Sequence, residues 1–308
     1  MQIHIKSIDE ENALFSKLKL QKSAVALGQF DAIHIGHTEI IKRVVDYARQ
    51  NNTKSLVYMF ANDPREVVLK TESKRINSLE KRFEIIKSLG ADIVVAREFD
   101  KDYMDIGAAA FVKEYIADKF RAELVAVGYN YRFGKNGEGD AKTLQMLCSA
   151  CDARVCVVPE VKLRGEKVSS SIIREKINNG DVALAAEMMG RPLSIKGVVK
   201  KGNHIGTKMG FPTANIELPK GGVIPGYGVY KTRTCIDGKT YPSITNVGGK
   251  PTVEKDAELI ETHIEGVFGE LYGKTIEIDF LKFIRDIKKF DSIEELKRQL
   301  EQDKKEYY

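Results

Sequence analysis

The chain has 308 residues, 43% of them apolar and 30% charged, with a net charge of +5. That length accommodates two domains with sizeable cores, and the balance is that of an ordinary globular protein. No stretch approaches the roughly 20 apolar residues of a membrane span, and the lysines are dispersed, which suits small anionic substrates better than nucleic acid. The N-terminus, Met1-Gln2-Ile3-His4-Ile5-Lys6, is mixed and soon acidic, unlike a signal peptide, so the expected compartment is the cytoplasm. Cys148 and Cys151 form a C-x-x-C, yet no second C-x-x-C or C-x-x-H completes a zinc site, and Leu144, Leu147 and Cys148 share one apolar helix face. They read as core.

Val25-Ala26-Leu27 begin an apolar run that passes through Gly28-Gln29-Phe30-Asp31-Ala32-Ile33 to His34-Ile35-Gly36-His37. Ile40, Ile41, Val44, Val45 and Ala48 then recur at helical spacing, so the stretch reads as strand, turn and helix. His34 and His37 share a face if both lie in the first turn, and Gly36 between them leaves room for a ligand. With the N–H groups and partial positive charge of a helix N-terminus, two imidazoles make a seat for a polyphosphate.

Alternation continues downstream. Residues 55–60 read as a strand, Leu79 to Leu89 as a helix stopped by Gly90, 92–96 as a strand and Ala108 to Lys119 as a helix. Residues 123–127 (strand), 141–150 (helix) and 154–158 (strand) follow. The pattern predicts a doubly wound parallel sheet with ligands at the carboxyl ends of its strands. Two further segments fall after strands. Gly128-Tyr129-Asn130-Tyr131-Arg132-Phe133-Gly134 has the composition of a loop that stacks on a base or flavin ring, or simply of a glycine-rich surface loop. Ser169-Ser170-Ser171, with Arg174 one turn into the next helix, offers N-caps or a grip on phosphates.

Near residue 185 the pattern changes to short alternating runs, an Asp237-Gly238 hairpin signal and a final helix from Ser292 to Asp303. This predicts a small antiparallel barrel over 186–308. Gly197, Lys200, Gly202 and Gly206 read as a flexible, lysine-bearing loop. In the following Gly210-Phe211-Pro212-Thr213-Ala214-Asn215, residues two apart on a strand share a face, so Thr213 and Asn215 either present a hydroxyl and an amide oxygen to one Mg²⁺ or serve as ordinary cap and turn residues. Alternation likewise puts Glu261 and His263 on one face of a strand.

Gly-x-Phe-Asp-x-x-His-x-Gly-His resembles the nucleotidyltransferase signature of bacterial FAD synthetases, and Gly-Phe-Pro-Thr-Ala-Asn resembles that of riboflavin kinases. With the Asn130 loop, Ser169-Ser170-Ser171-Ile172-Ile173-Arg174, Pro225-Gly226-Tyr227-Gly228, Asn246-Val247-Gly248-Gly249-Lys250-Pro251-Thr252, Glu261-Thr262-His263 and Arg285 in order, nearly the whole chain is similar to bifunctional riboflavin kinase/FAD synthetases. The resemblance implies that riboflavin is phosphorylated by ATP to FMN, and FMN adenylylated by a second ATP to FAD, with Mg²⁺. It implies ATP binding for adenylyl transfer by Gly28, Phe30, Asp31, His34, Gly36, His37, Asn130, Ser170, Ser171 and Arg174. It implies ATP and flavin binding for the kinase by Gly197, Lys200, Gly202, Gly210, Thr213, Asn215, Asn246 and Arg285, with Glu261 as base. The expected halves are 1–185 and 186–308.

Departures from the family pattern are Asn62-Asp63, where Pro-His is usual, Thr207 for an arginine, and Ile287 for a glutamate. Two other readings use the same residues: an adenylyltransferase whose barrel has lost its kinase activity, and a non-catalytic flavin- or nucleotide-binding regulator. Retained Thr213, Asn215 and Glu261 count against the first; intact His34, His37 and Glu261 count against the second.

Overall fold

Strand alternation sorts the apolar residues of the N-terminal half onto two faces of one sheet. The computed structural model describes all residues except 202–211, 219–220, 250–257, 268–270, 289, 291 and 308, and omits the side chains of 258, 259, 293, 296, 300 and 305–307. Gly202, Gly206, Thr207, Gly210 and the 250–252 part of the asparagine motif lie outside the described residues. Contacts divide the chain into two compact units, Met1–Ser170 and Ser171–Tyr308.

In the first unit, β1 (Gln2–Ile5), β2 (Ser23–Leu27), β3 (Lys54–Phe60), β4 (Ile93–Arg97), β5 (Ala122–Gly128) and β6 (Arg154–Val158) form a sheet in the order β1-β4-β3-β2-β5-β6. Every pairing is parallel. The helices are α1 (Ile8–Leu18), α2 (Ile35–Asn51), α3 (Pro64–Leu69), α4 (Leu79–Ser88), α5 (Lys101–Met104), α6 (Ala108–Phe111), which runs on as a π-helical stretch Val112–Lys119, and α7 (Ala141–Cys148). Val25 and Leu27 point into a core with Phe15, Phe111 and Tyr115, while Ala24 and Ala26 point into one with Ile41, Val44 and Ile86. All five residues predicted for the apolar stripe of α2 are buried, its isoleucines and valines each contributing about 1.5–3 kcal/mol by removal from water. Cys148 is fully buried beside Leu144, and all four cysteines are free. β7 (Lys162–Leu163) and β8 (Glu166–Lys167) make a small antiparallel hairpin.

Helix α8 (Ser170–Asn178) begins at the division between the units, and α9 (Val182–Met189) contains residue 185. β9 (Leu193–Lys200), β10 (Thr213–Glu217), β11 (Gly228–Ile236), β12 (Lys239–Gly249), β13 (Glu258–Ile264) and β14 (Thr275–Arg285) close into a barrel in the order β10-β13-β12-β11-β14-β9. Asp237 and Gly238 both take positive φ, 49° and 78°, as their hairpin requires. Helix α10 (Ile293–Tyr307) starts after Ser292, whose hydroxyl accepts the Glu295 N–H at 3.2 Å. Part of the barrel interior is polar: Thr232, Thr234, Ser243, Thr245 and Thr262, all buried, share hydroxyl hydrogen bonds of 2.8–3.0 Å. Among the described residues no helix is long and apolar enough to cross a membrane.

Candidate active sites

The strand order reverses between β2 and β5, because β3 leaves β2 on one side while β5 pairs on the other. Loops leaving the carboxyl ends of such a pair diverge and open a crevice. The β2 loop is Gly28 to Ile33. Phe30 and Ile33 take positive φ values of 49° and 44°, and both are fully buried. For a β-branched isoleucine that conformation is strained, and it persists only where the surroundings fix it. Asp31, between them, accepts the Ile76 N–H at 3.1 Å through its carboxylate, and its carbonyl accepts the Asn77 amide at 2.7 Å. The Phe30 ring lies over Gly28, where a Cβ would come within 3.0 Å of it.

His34 is the N-cap of α2. Its Nδ1 accepts the His37 N–H at 3.3 Å, and the two imidazoles stack at 3.7 Å between centroids with an 18° tilt. The Phe30 ring meets His37 edge-on at 5.1 Å. At Gly36 a Cβ would meet the His34 ring at 3.2 Å, so the missing side chain also makes room for that imidazole.

After β3, Asn62 exchanges hydrogen bonds with Phe99, donating at 2.9 Å and accepting at 2.7 Å. Asp63, 4% exposed, caps α3 and grips the Arg65 guanidinium with Nη2 at 2.6 Å. Burial works to raise its pKa, but the hydrogen bonds from the Arg65 side chain and N–H prevail and hold the carboxyl at about 2. Asp63 is thus an ionised cap in the place where the family pattern has histidine. After β5, Asn130 is exposed, but Tyr131 and Phe133 stack on each other and pack into the core against Phe111. The outward aromatic is Tyr129, whose hydroxyl donates to Glu160 at 2.9 Å. Tyr129 is thus the aromatic of this segment that faces solvent, while the two beyond Asn130 face the core. Ser170 closes the first unit; Ser171 and Arg174 lie in α8 of the second.

In the barrel, pairing register draws separate motifs into one row. Lys200 of β9 stands opposite Asn215, Asn215 opposite Glu261, Glu261 opposite Asn246, Asn246 opposite Val229, and Val229 opposite Arg285. Ala214, Ile216, Ile260 and Thr262, which alternate with these, are buried, so Asn215 and Glu261 face outward. Thr213, on the same face, stands opposite His263, whose Nδ1 lies 3.0 Å from the Pro212 carbonyl. Gly197 and Lys200 belong to β9 rather than to the expected loop. The side-chain alternation Leu193, Ile195, Val199 builds a strand, and Gly197 is the point where it meets β10, since a Cβ would lie 2.4 Å from Ile216. Lys200 pairs with Glu217 at 3.0 Å. Arg285 is gripped by Asp303 of α10, with Nη2 at 2.7 Å and Nε at 3.1 Å, and Gln299 donates to the same carboxylate at 2.8 Å.

Known families match each half: a FAD synthetase profile covers residues 16–172, and a riboflavin kinase profile covers residues 189–308. A bifunctional riboflavin kinase/FMN adenylyltransferase of Bacillus subtilis is 33% identical over 290 residues, 92% of this chain and 91% of that one. The chain belongs to the bifunctional riboflavin kinase/FMN adenylyltransferase family. The Escherichia coli member is 30% identical over 281 residues, 91% of this chain and 90% of its own length. A crystal structure titled as a macrolide-efflux protein from Streptococcus pneumoniae superposes with a TM-score of 0.88 at 28% identity, covering 99% of this chain and 98% of that one.

As a member of this family the chain is a riboflavin kinase and an FMN adenylyltransferase in one polypeptide. Burial raises the pKa of Glu261, the carboxylate at the middle of the barrel row. Ile287, where the family pattern has glutamate, is 46% exposed, and its Cδ1 would stand 3.1 Å from a Cβ at Gly248, two residues beyond Asn246. Sequence reasoning missed Arg82, a buried cation beneath the β2 and β3 loops. Its only sequence signal is a charge on the inner side of an amphipathic helix.

Proposed function

We propose that the two reactions divide between the two halves, 1–185 and 186–308, and that each half uses a different answer to the chemistry of its nucleophile. The register row supports this most directly, because it gathers Lys200, Asn215, Glu261 and Asn246 from four sequence motifs onto one outward face. At that face Glu261 takes the proton of the riboflavin 5′-hydroxyl as the oxygen bonds to the γ-phosphorus and ADP leaves. A carboxylate whose pKa is raised by burial is a stronger base than one in water. Lys200, Asn246 and Arg285, with Gly197, hold ATP and flavin in this half; the family resemblance assigns Gly202 and Gly210 to the same contacts, and both lie outside the described residues. The Thr213 hydroxyl and Asn215 amide oxygen, on one face of β10 beside Glu261, are the hard oxygen donors that Mg²⁺ takes. Mg²⁺ held there would withdraw charge from the ATP phosphates.

Adenylyl transfer needs no base. The FMN phosphate is already an anion, and its oxygen bonds to the α-phosphorus of ATP as the bond to the β-phosphate oxygen breaks and pyrophosphate leaves. The barrier is repulsion between anions, which donors and positive charge relieve. His34 and His37 at the α2 N-terminus supply these, with Gly28, Phe30, Asp31 and Gly36 shaping the turn. Asn130, Ser170, Ser171 and Arg174 complete the ATP contacts. The compartment that suits such a chain is the cytoplasm.

Incubation with riboflavin, ATP and Mg²⁺, beside a parallel run started from FMN, tests the scheme when riboflavin, FMN and FAD are separated over time. FMN followed by FAD is expected from the first run and FAD from the second. His37→Ala should stop FAD formation alone, and Glu261→Ala should stop FMN formation alone. If either variant damaged both reactions equally while folded, the division would be wrong.

A further inference from the structure

Arg82 projects from α4 and is 2% exposed. Its guanidinium donates to three main-chain carbonyls: Nη1 to Gln29 at 3.2 Å and Phe60 at 2.8 Å, and Nη2 to Ala61 at 2.6 Å. Gln29 lies in the turn after β2, Phe60 is the last residue of β3 and Ala61 the first beyond it. One side chain therefore joins the carboxyl ends of two adjacent parallel strands, the edge where ligands bind in such sheets.

All three acceptors are neutral. Burial lowers the Arg82 pKa to about 10, which leaves the group charged at neutral pH. The Asp31 carboxylate, and more weakly Glu80 and Glu98, favour the charge through space and Arg75 opposes it; even so, burying a cation whose oxygen acceptors are all carbonyls is an unfavourable way to fasten a loop for stability, because a packed apolar side chain avoids the desolvation. What the guanidinium adds is a planar fork that fixes several carbonyls at set angles. The Gln29 carbonyl belongs to the peptide unit about which the φ of Phe30 is set. Phe30 holds a φ of 49° and its ring contacts His37.

We propose that Arg82 is a positioning residue for adenylyl transfer: its fork clamps the Gln29–Phe30 peptide to the end of β3 and so holds Phe30, and through it His37, in register for the triphosphate. The inference rests on the reading of His34 and His37 given above. Lysine, a point donor on a flexible stem, cannot hold the carbonyls of both loops at once. A displacement of the histidine pair lowers turnover more than it lowers substrate binding.

The test uses the full chain as wild type, Arg82→Lys, Arg82→Gln, His37→Ala and Ile86→Ala. Ile86 lies one turn further along α4, fully buried, and carries no polar atom in its side chain. Steady-state FAD formation from FMN, FMN formation from riboflavin, and the thermal midpoint are measured on each preparation. Both Arg82 variants should lose roughly ten- to a hundred-fold in kcat for FAD formation, with KM for ATP and FMN within about three-fold and kinase turnover unchanged. Ile86→Ala should lower the thermal midpoint yet keep FAD turnover within about three-fold of wild type. Wild-type turnover in Arg82→Lys overturns the proposal. So does an equal loss in Ile86→Ala at a matching thermal midpoint, or a failure of both Arg82 variants to fold, either of which confines the residue to stability. If His37→Ala kept its FAD synthesis, the reading of the turn would fall; full activity in Arg82→Lys beside an inactive His37→Ala removes the Arg82 inference alone.

Discussion

The imidazole of His34 folds back over the first turn of α2, accepting the His37 N–H at 3.3 Å and stacking on the His37 ring at 3.7 Å. The cap and the imidazole proposed to meet the triphosphate are thus one side chain, and substitution can separate the two roles. Asparagine is as good an N-cap as any residue, so His34→Asn should change helix stability by less than about 0.5 kcal/mol. It removes the imidazole, and FAD formation from FMN should fall roughly a hundred-fold. Product separation and a thermal melt on the same sample check both; full FAD synthesis in the variant would show that His34 is a cap and nothing more.

Gly36→Ala should move stability and activity in opposite directions. Alanine favours the helix over glycine by up to about 1 kcal/mol. Its Cβ, however, would stand 3.2 Å from the His34 ring, closer than an ordinary contact, so the imidazole must shift. The expected outcome is a thermal midpoint at or above that of the wild type with FAD turnover down by about ten-fold. Unchanged turnover would mean that the observed position of His34 is not the working one.

These two residues mark how far the sequence could be read. The strand–turn–helix around His34 and the stripe Ile40, Ile41, Val44, Val45, Ala48 were legible because each follows a local period and a local cap. The helix at Ser292 was legible for the same reason, and Cys148 was placed correctly in the core by its spacing from Leu144. The row from Lys200 to Arg285 was not, since strand register links residues far apart and is set by pairing that no local pattern encodes. Gly197 and Lys200 read as loop in the sequence yet belong to β9, because a glycine required by the crossing of two strands looks, in sequence, like a glycine required by a turn. Likewise Tyr131 and Phe133 have the composition of a stacking loop, yet the aromatic cluster around Phe111 takes them inward.

The Arg285–Asp303 pair fastens α10 to the barrel. Asp303 is 2% exposed and accepts from Arg285 and Gln299 together, so removing it strands a largely buried guanidinium. Asp303→Ala should destabilise the second unit by about 3 kcal/mol. Conversion of FMN to FAD should be unaffected. Calorimetry with two resolved transitions would show the shift in one of them; an unshifted pair would mean that the fork contributes little.

Glu261 joins activity to stability with opposite signs. Burial raises its pKa above the ordinary 4.5, so the folded state binds this proton more tightly than the unfolded chain does. Its contribution to stability is therefore fully present below the unfolded value and is lost as pH rises through the folded one. At neutral pH the charged carboxylate is a burden on the fold. Glu261→Gln should accordingly raise the thermal midpoint at pH 7, and the advantage should vanish in acid, where both forms are neutral. The same substitution should abolish FMN formation from riboflavin while FAD formation from FMN continues, because glutamine accepts no proton. In the wild type, kcat/KM for the kinase should fall on the acid side as the base is protonated, with a midpoint above that of a solvent-exposed glutamate. Retained kinase turnover in Glu261→Gln would sink the assignment of the base, whereas a lowered midpoint at pH 7 would show that the carboxylate has a partner in the folded chain that outweighs its burial.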